Sequence, residues 1–333
     1  MKGKNILRER KQRVGIAIGF ILLLGIYFCI SPFFLSPENI RKVVCQVERE
    51  SYYVLMADKK EVLFVKQIVD GQRWEGCYST KEELETEKTY AIGSWINRYP
   101  LLPSCKGRLI SHFAILDVHS INSQAKVRKM IDKNKAETAK RKNMLKHRLS
   151  ETAYYLKVHR VADEGYNSIA KYDVRLKKEW DELLKVEKKL NEITEKTLVE
   201  WVAREQYFLV KGEERLPLKI IKSDVNNQLV MLQTEDQRTP KDAHALSVLP
   251  WKNDENGEIF AATFKGLTKT SRWMAEDSCT IVAGQADLHR KHDFPTLLVS
   301  NSSPLFNGRG NFMGISKGEK YINRKTIYSF IQQ

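Results

Sequence analysis

Carboxylates are outnumbered in this chain. Its 333 residues hold 56 Lys and Arg against 41 Asp and Glu, a formal net charge of +15. That excess favours anionic surfaces and acidic partners and carries no information about fold. Proline is missing from 127–196, where Gly165 is the lone glycine, so little interrupts a helix on either side of that residue. Cysteine is sparse. The spacings of Cys29, Cys45, Cys77, Cys105 and Cys279 match no metal motif, and neither a metal nor another cofactor is expected. Outside the cytoplasm the last four fit one or two disulfides, and free thiols fit equally well. Charge is absent from Val14 to Leu35.

An uncharged run of about 20 apolar residues is long enough to cross a bilayer as a helix. Lys2, Lys4, Arg8, Arg10, Lys11 and Arg13 precede it, against Glu9 alone. The positive-inside rule then predicts a cytoplasmic N-terminus. Pro32, Phe33 and Phe34 stand where a cleavable signal would carry small residues. These features predict a single-pass protein of the cell inner membrane, anchored by a transmembrane helix from Val14 to Leu35, with its bulk in the periplasm. That topology disfavours nucleic acid as a partner.

Beyond Leu35 the chain changes character twice. Val43–Val47, Tyr52–Met56 and Val62–Val65 are β-branched or aromatic runs broken by turn residues, a β-rich leader over 38–88. From 124 to 205 the period becomes helical. Ile169, Leu176, Leu183 and Leu190 recur every seven residues, and Tyr172, Val186 and Ile193 stand three residues after three of them. Ile131, Leu145, Leu149 and Leu156 give a weaker stripe before Gly165. The break at Ala162–Gly165 predicts an antiparallel helical hairpin, with a continuous oligomeric coiled coil as the other arrangement. Its first arm is basic. Lys129, Lys133, Lys140 and Arg141 belong to a dense run that is either a solvated face or a docking surface for acidic protein or anionic phospholipid. From Tyr207 onward β patterning returns, in Tyr207–Val210, Leu218–Ile221, Leu229–Leu232, Ile259–Phe264, Thr280–Val282 and Leu297–Ser300. His289, His292 and Asp293 lack a diagnostic metal spacing.

Three stretches carry a resemblance. Ala91-Ile92-Gly93-Ser94-Trp95-Ile96 precedes Gly107-Arg108-Leu109-Ile110-Ser111-His112. Asn227-Gln228 leads into Leu229-Val230-Met231-Leu232. Val299-Ser300-Asn301-Ser302-Ser303-Pro304-Leu305-Phe306-Asn307 runs on to Gly308, Gly310 and Gly314-Ile315. In this order they resemble the catalytic neighbourhoods of the trypsin-like (chymotrypsin-fold) serine proteases. The resemblance covers roughly 90–115 and 207–333. It implies a mainly β fold: a trypsin-like double β-barrel interrupted by the helical hairpin. Barrel 1 would begin in 89–123 and resume in 206–333, which would also hold barrel 2, behind the anchor at 14–35 and the basic tail at 1–13.

The same resemblance implies a degenerate triad. His112 falls at the histidine position, Gln228 where the family has aspartate, and Asn301 where it has the nucleophilic serine. Val299 replaces the glycine that shapes the oxyanion hole. A serine needs a histidine to take its proton and a carboxylate to orient that histidine. Replacing that carboxylate by a neutral amide costs about 10⁴-fold in rate, and Asn301 offers no hydroxyl. The expected function is therefore a membrane-anchored pseudoprotease that binds or scaffolds protein or peptide in the cell envelope. One alternative is an active, membrane-tethered serine endopeptidase using Ser302, with Asp224 as its acid. Another is a periplasmic adaptor-like protein with a coiled-coil hairpin, for which no second lipoyl-like half-motif comes after the helices.

Overall fold

The computed structural model describes residues 19–23, 25, 35–97, 106–114, 116, 118–248, 257–264 and 279–332. The elements run α1 (Pro37–Arg41), β1 (Val44–Ala57), β2 (Lys60–Val69), β3 (Arg73–Tyr78), β4 (Glu87–Trp95), β5 (Arg108–His112), α2 (Gln124–Val158), α3 (Tyr166–Glu192), β6 (Val199–Lys211), β7 (Glu214–Asp224), β8 (Leu229–Thr234), β9 (Gly257–Thr263), β10 (Thr280–Ala286), β11 (Pro304–Asn307), β12 (Phe312–Lys317), β13 (Lys320–Asn323) and α4 (Arg324–Gln332). The fold is mainly β. One sheet has the order β3-β2-β1-β4-β5-β8-β7-β6, and β1 also pairs with β6. That pairing closes β1, β4, β5, β8, β7 and β6 into a six-strand barrel. The other sheet has the order β10-β9-β11-β12-β13. Two compact units result: Met1–Arg49, Thr89–Ile115 and Tyr207–Gln333 form the first, Glu50–Lys88 and Leu116–Gln206 the second.

In the first unit β8 is buried along its whole length, as its run of apolar residues requires of a strand covered on both faces. Successive side chains point to opposite faces. Val230 and Leu232 join Trp95, Leu109 and Tyr207 in one cluster. Leu229 and Met231 join Ile110, Phe306, Phe312, Ile315 and Phe330 in another, so the second sheet and α4 pack on that face.

The second unit holds the hairpin. Arg141 pairs with Glu179 at 2.6 Å and Lys142 with Glu187 at 2.7 Å, and the Thr152 hydroxyl donates to Asp173 at 2.6 Å. Arg141 and Lys142 meet α3 at Glu179 and Glu187, and Thr152, later on α2, meets it at Asp173, nearer its start, so the helices are antiparallel. Leu145, Leu176, Val186 and Leu190 are buried along them. The turn between them ends at Gly165, whose φ of +83° suits glycine.

Several expectations need correction. Among the described residues no helix is long and apolar enough to cross a membrane, which overturns the transmembrane helix and, with it, the single-pass inner-membrane location. Of the expected span, 14–18, 24 and 26–34 lie outside the described residues. Leu35, expected as its outer end, is buried in the core of the first unit and donates its N–H to the Gly310 carbonyl at 3.2 Å. Apolar composition reads the same for a lipid-facing and a core-facing residue, and at Leu35 packing decides. The double barrel is also corrected: among the described residues there are one barrel and one five-stranded sheet. Between β10 and β13 the described links are single bridges, Ala286 with His292 and Lys291 with Lys320. Leu297–Ser300, expected as a strand, is a turn in which the N–H groups of Leu298 and Val299 both bond the Pro295 carbonyl. Cys45, Cys77 and Cys279 are free.

Candidate functional site

The three aligned stretches meet in the first unit. β4 pairs with β5 through Gly93 opposite Ser111, and β5 pairs with β8 through His112 opposite Leu229. The Phe113 N–H donates to the Gln228 carbonyl at 3.1 Å. The His112 N–H donates to the Ser302 hydroxyl oxygen at 2.8 Å. Ser302 Oγ lies 3.4 Å from Ser111 Oγ, and the Ser111 hydroxyl donates to the Ile92 carbonyl at 2.7 Å. With the Ser111 proton so directed, Ser302 is the donor in the pair. A relay therefore runs from the His112 N–H through two hydroxyls to Ile92.

Ser302 is fully buried, at a φ of +73°, with its N–H on the Ser316 carbonyl. The residues around it are committed in the same way. Asn301 is exposed, and its side-chain oxygen accepts from the Gly318 N–H at 2.8 Å. The Val299 N–H is held by Pro295, the Ser300 N–H by Thr263 Oγ1 at 3.2 Å, and the Ser303 N–H by Ser316 Oγ at 3.0 Å. An oxyanion hole needs N–H donors left open toward the substrate. At Val299, Ser300, Ser302 and Ser303 they point into the protein.

Asp224, the alternative acid, closes its own turn. Its carboxylate accepts from the backbone N–H groups of Asn226 and Asn227 and from the Asn227 side chain at 2.7 Å. The Asn227 amide is the main cause holding it below the usual carboxylate range. Among the described residues no cluster of three or more His, Cys, Asp or Glu could hold a metal ion. Asp293 instead accepts from the Gln285 N–H at 2.7 Å.

A cavity of about 620 Å³ opens elsewhere in the first unit. Val44, Cys45, Trp95, Leu209, Phe264 and Cys279 give it an apolar lining. Burial pushes the Cys279 thiol up to about 11 and raises that of Cys45 as well. Both stay protonated near neutral pH and act as small apolar groups rather than nucleophiles. At the rim Lys42 pairs with Glu38 at 2.6 Å and Lys211 with Asp242 at 3.1 Å, beside the exposed Arg41. Sequence reasoning missed this site. Its walls come from α1, β1, β4, β6, the loop at 240–243 and the facing ends of β9 and β10, and no linear motif joins them.

The four basic residues singled out on the first helical arm separate. Arg141 is neutralised by Glu179 on α3, Lys129 and Lys133 line one cavity of the second unit, and Lys140 is exposed.

No protein-family model matches the chain, and no curated protein matches it.

Proposed function

We propose that this chain is a peptide- or protein-binding module whose trypsin-like positions serve the fold rather than catalysis. The observation that carries the reading is the bond from the His112 N–H to the Ser302 hydroxyl. In a working triad that hydroxyl faces an imidazole and a solvent-filled cleft. Here it is buried and occupied, and it fastens the C-terminal loop to β5. The resemblance is then kept in backbone form, with Gln228 and Asn301 at positions where the chemistry needs a carboxylate and a hydroxyl.

Binding is assigned to the apolar cavity of the first unit. Its volume lies in the range of small-ligand sites, roughly 300–1,000 Å³. An apolar side chain would enter it with part of its main chain, while Arg41 at the rim meets a carboxylate or main-chain carbonyl of the same peptide. Ala243 lines this cavity on a surface loop and is half-buried, so a larger residue there obstructs the space without disturbing a strand. Panning a random dodecapeptide display library against the purified full chain should enrich peptides with a common apolar anchor. Ala243→Trp should weaken them at least tenfold in fluorescence anisotropy, about 1.4 kcal/mol. Fluorophosphonate labelling that disappears in Ser302→Ala would instead establish a serine hydrolase and end this reading.

The fastening role has its own test. Ser302→Ala removes the bond from the His112 N–H to the Ser302 hydroxyl and should cost about 1–3 kcal/mol in urea unfolding. Ser302→Gly should cost less than Ser302→Ala, because glycine holds the positive φ without strain.

A further inference from the structure

We propose that the cavity between the β2–β3 turn and the start of α2 binds an acidic peptide in extended form, with an apolar side chain among its carboxylates. This site lies in the second unit and stands independently of the function assigned to the first.

The cavity holds about 550 Å³. Tyr53, Ile68 and Met130 contribute apolar surface. Lys126, Lys129 and Lys133 form one wall, and Asp70 is the carboxylate in the lining. Positions i, i+3 and i+7 fall on one helix face, so the three lysines leave α2 on the same side. Lys126 Nζ donates to the Ser120 carbonyl at 2.7 Å. Lys129 and Lys133 are exposed, and among the described residues neither is paired with a carboxylate.

The arrangement works against the helix that carries it. Like charges three or four residues apart repel, and Lys126, in the first turn, opposes the helix dipole. The first turn of α2 contains no acid to offset them. By contrast Arg141 and Lys142, farther along the same helix, each meet a glutamate of α3. A row of lysines, two of them without a salt bridge among the described residues, beside an apolar recess describes half of an ion-paired interface.

Geometry selects the other half. From Lys126 to Lys133 the helix rises about 10 Å. Alternate residues of an extended strand lie about 6.6–6.8 Å apart on one side, so two or three glutamates span the lysine row. The residues between them face the other way, and one at the end of the acidic run reaches the apolar recess. A single compact phosphate group covers only part of the row.

The probe is a fluorescein-labelled heptapeptide with glutamates at alternate positions and one C-terminal leucine, titrated with the full chain in fluorescence anisotropy. Lys129→Gln with Lys133→Gln should weaken binding at least tenfold and leave the thermal midpoint unchanged or higher. Lys171→Gln with Lys188→Gln, two exposed lysines of α3, makes the same change in net charge and should retain binding. Equal losses in both double variants would reduce the effect to overall charge and overturn the site. So would equal affinity for the peptide lacking its leucine. Tighter binding of tripolyphosphate or a heparin tetrasaccharide at matched charge would overturn the peptide assignment. Unchanged peptide binding with a lowered midpoint in Lys129→Gln/Lys133→Gln would show that the lysines serve the fold.

Discussion

Gly107→Ala should destabilise the first unit by at least about 3 kcal/mol, a large share of the stability of an ordinary domain. Gly107 stands immediately before β5 at a φ of +62°. A methyl group there would lie 2.0 Å from Thr234 Oγ1 and 2.8 Å from the Arg238 carbonyl oxygen. The second of these is backbone and cannot rotate away. The neighbouring bonds fix the approach: the Thr234 N–H donates to the Gly107 carbonyl at 2.9 Å, and the Gly107 N–H donates to Thr239 Oγ1 at 3.1 Å. Urea unfolding of the full chain measures the loss. Gly212→Ala supplies the comparison, since Gly212 has a φ of +57° with open space around the missing Cβ. It should cost only the conformational strain, about 1–2 kcal/mol. Equal costs at the two positions would remove the steric argument.

The other large effect lies in the second unit. Trp201→Ala should cost about 3–5 kcal/mol. Trp201 is 1% exposed and meets Trp74 edge to face, with ring centroids 5.3 Å apart. Leu55, Leu63, Val127, Met130, Val186 and Leu190 share its cluster. The Asn122 side chain clamps its backbone, donating to the Trp201 carbonyl at 2.8 Å and accepting from its N–H at 2.6 Å. The mutation therefore opens a cavity that the clamp keeps from collapsing, and unrelaxed cavities are the costly ones. Circular dichroism at 222 nm in urea reads the long helices α2 and α3 and so tracks this unit. A change below about 1 kcal/mol would mean that the surroundings close over the gap.

Local periodicity made part of this architecture legible. The heptad stripe marked Leu176, Val186 and Leu190, all buried, because a helix face shows itself within a few turns. The β runs at Leu229–Leu232 and Tyr207–Val210 fall within β8 and β6 for the same reason. Partners distant in sequence were not legible. The apolar run ending at Leu35 has the composition of a membrane span, and only the Gly310 turn and the surrounding core reveal where Leu35 packs. The serine-rich stretch before Pro304 looked like a nucleophile loop. Its hydroxyl and N–H groups turn out to bond β5, β9, β12 and the loop itself, a fact set by the fold around it. Arg141 read as part of a docking face until Glu179, 38 residues away, was placed beside it. The apolar cavity of the first unit had no signal at all, since its walls come from segments far apart in the chain.

The Gln124 and Val199 bonds at the base of the helical hairpin bear on assembly kinetics. The Gln124 side chain donates to the Val199 carbonyl at 2.7 Å and accepts from its N–H at 3.2 Å. The long excursion thus leaves and returns at nearly the same point. Helical contacts are local and form fast, whereas pairing β5 with β8 across the insertion is slow for an open chain. Once the hairpin has formed, the unformed loop between those strands excludes its length, and each halving of a loop saves about 0.6 kcal/mol of closure entropy. The insertion acts as a short circuit for barrel closure.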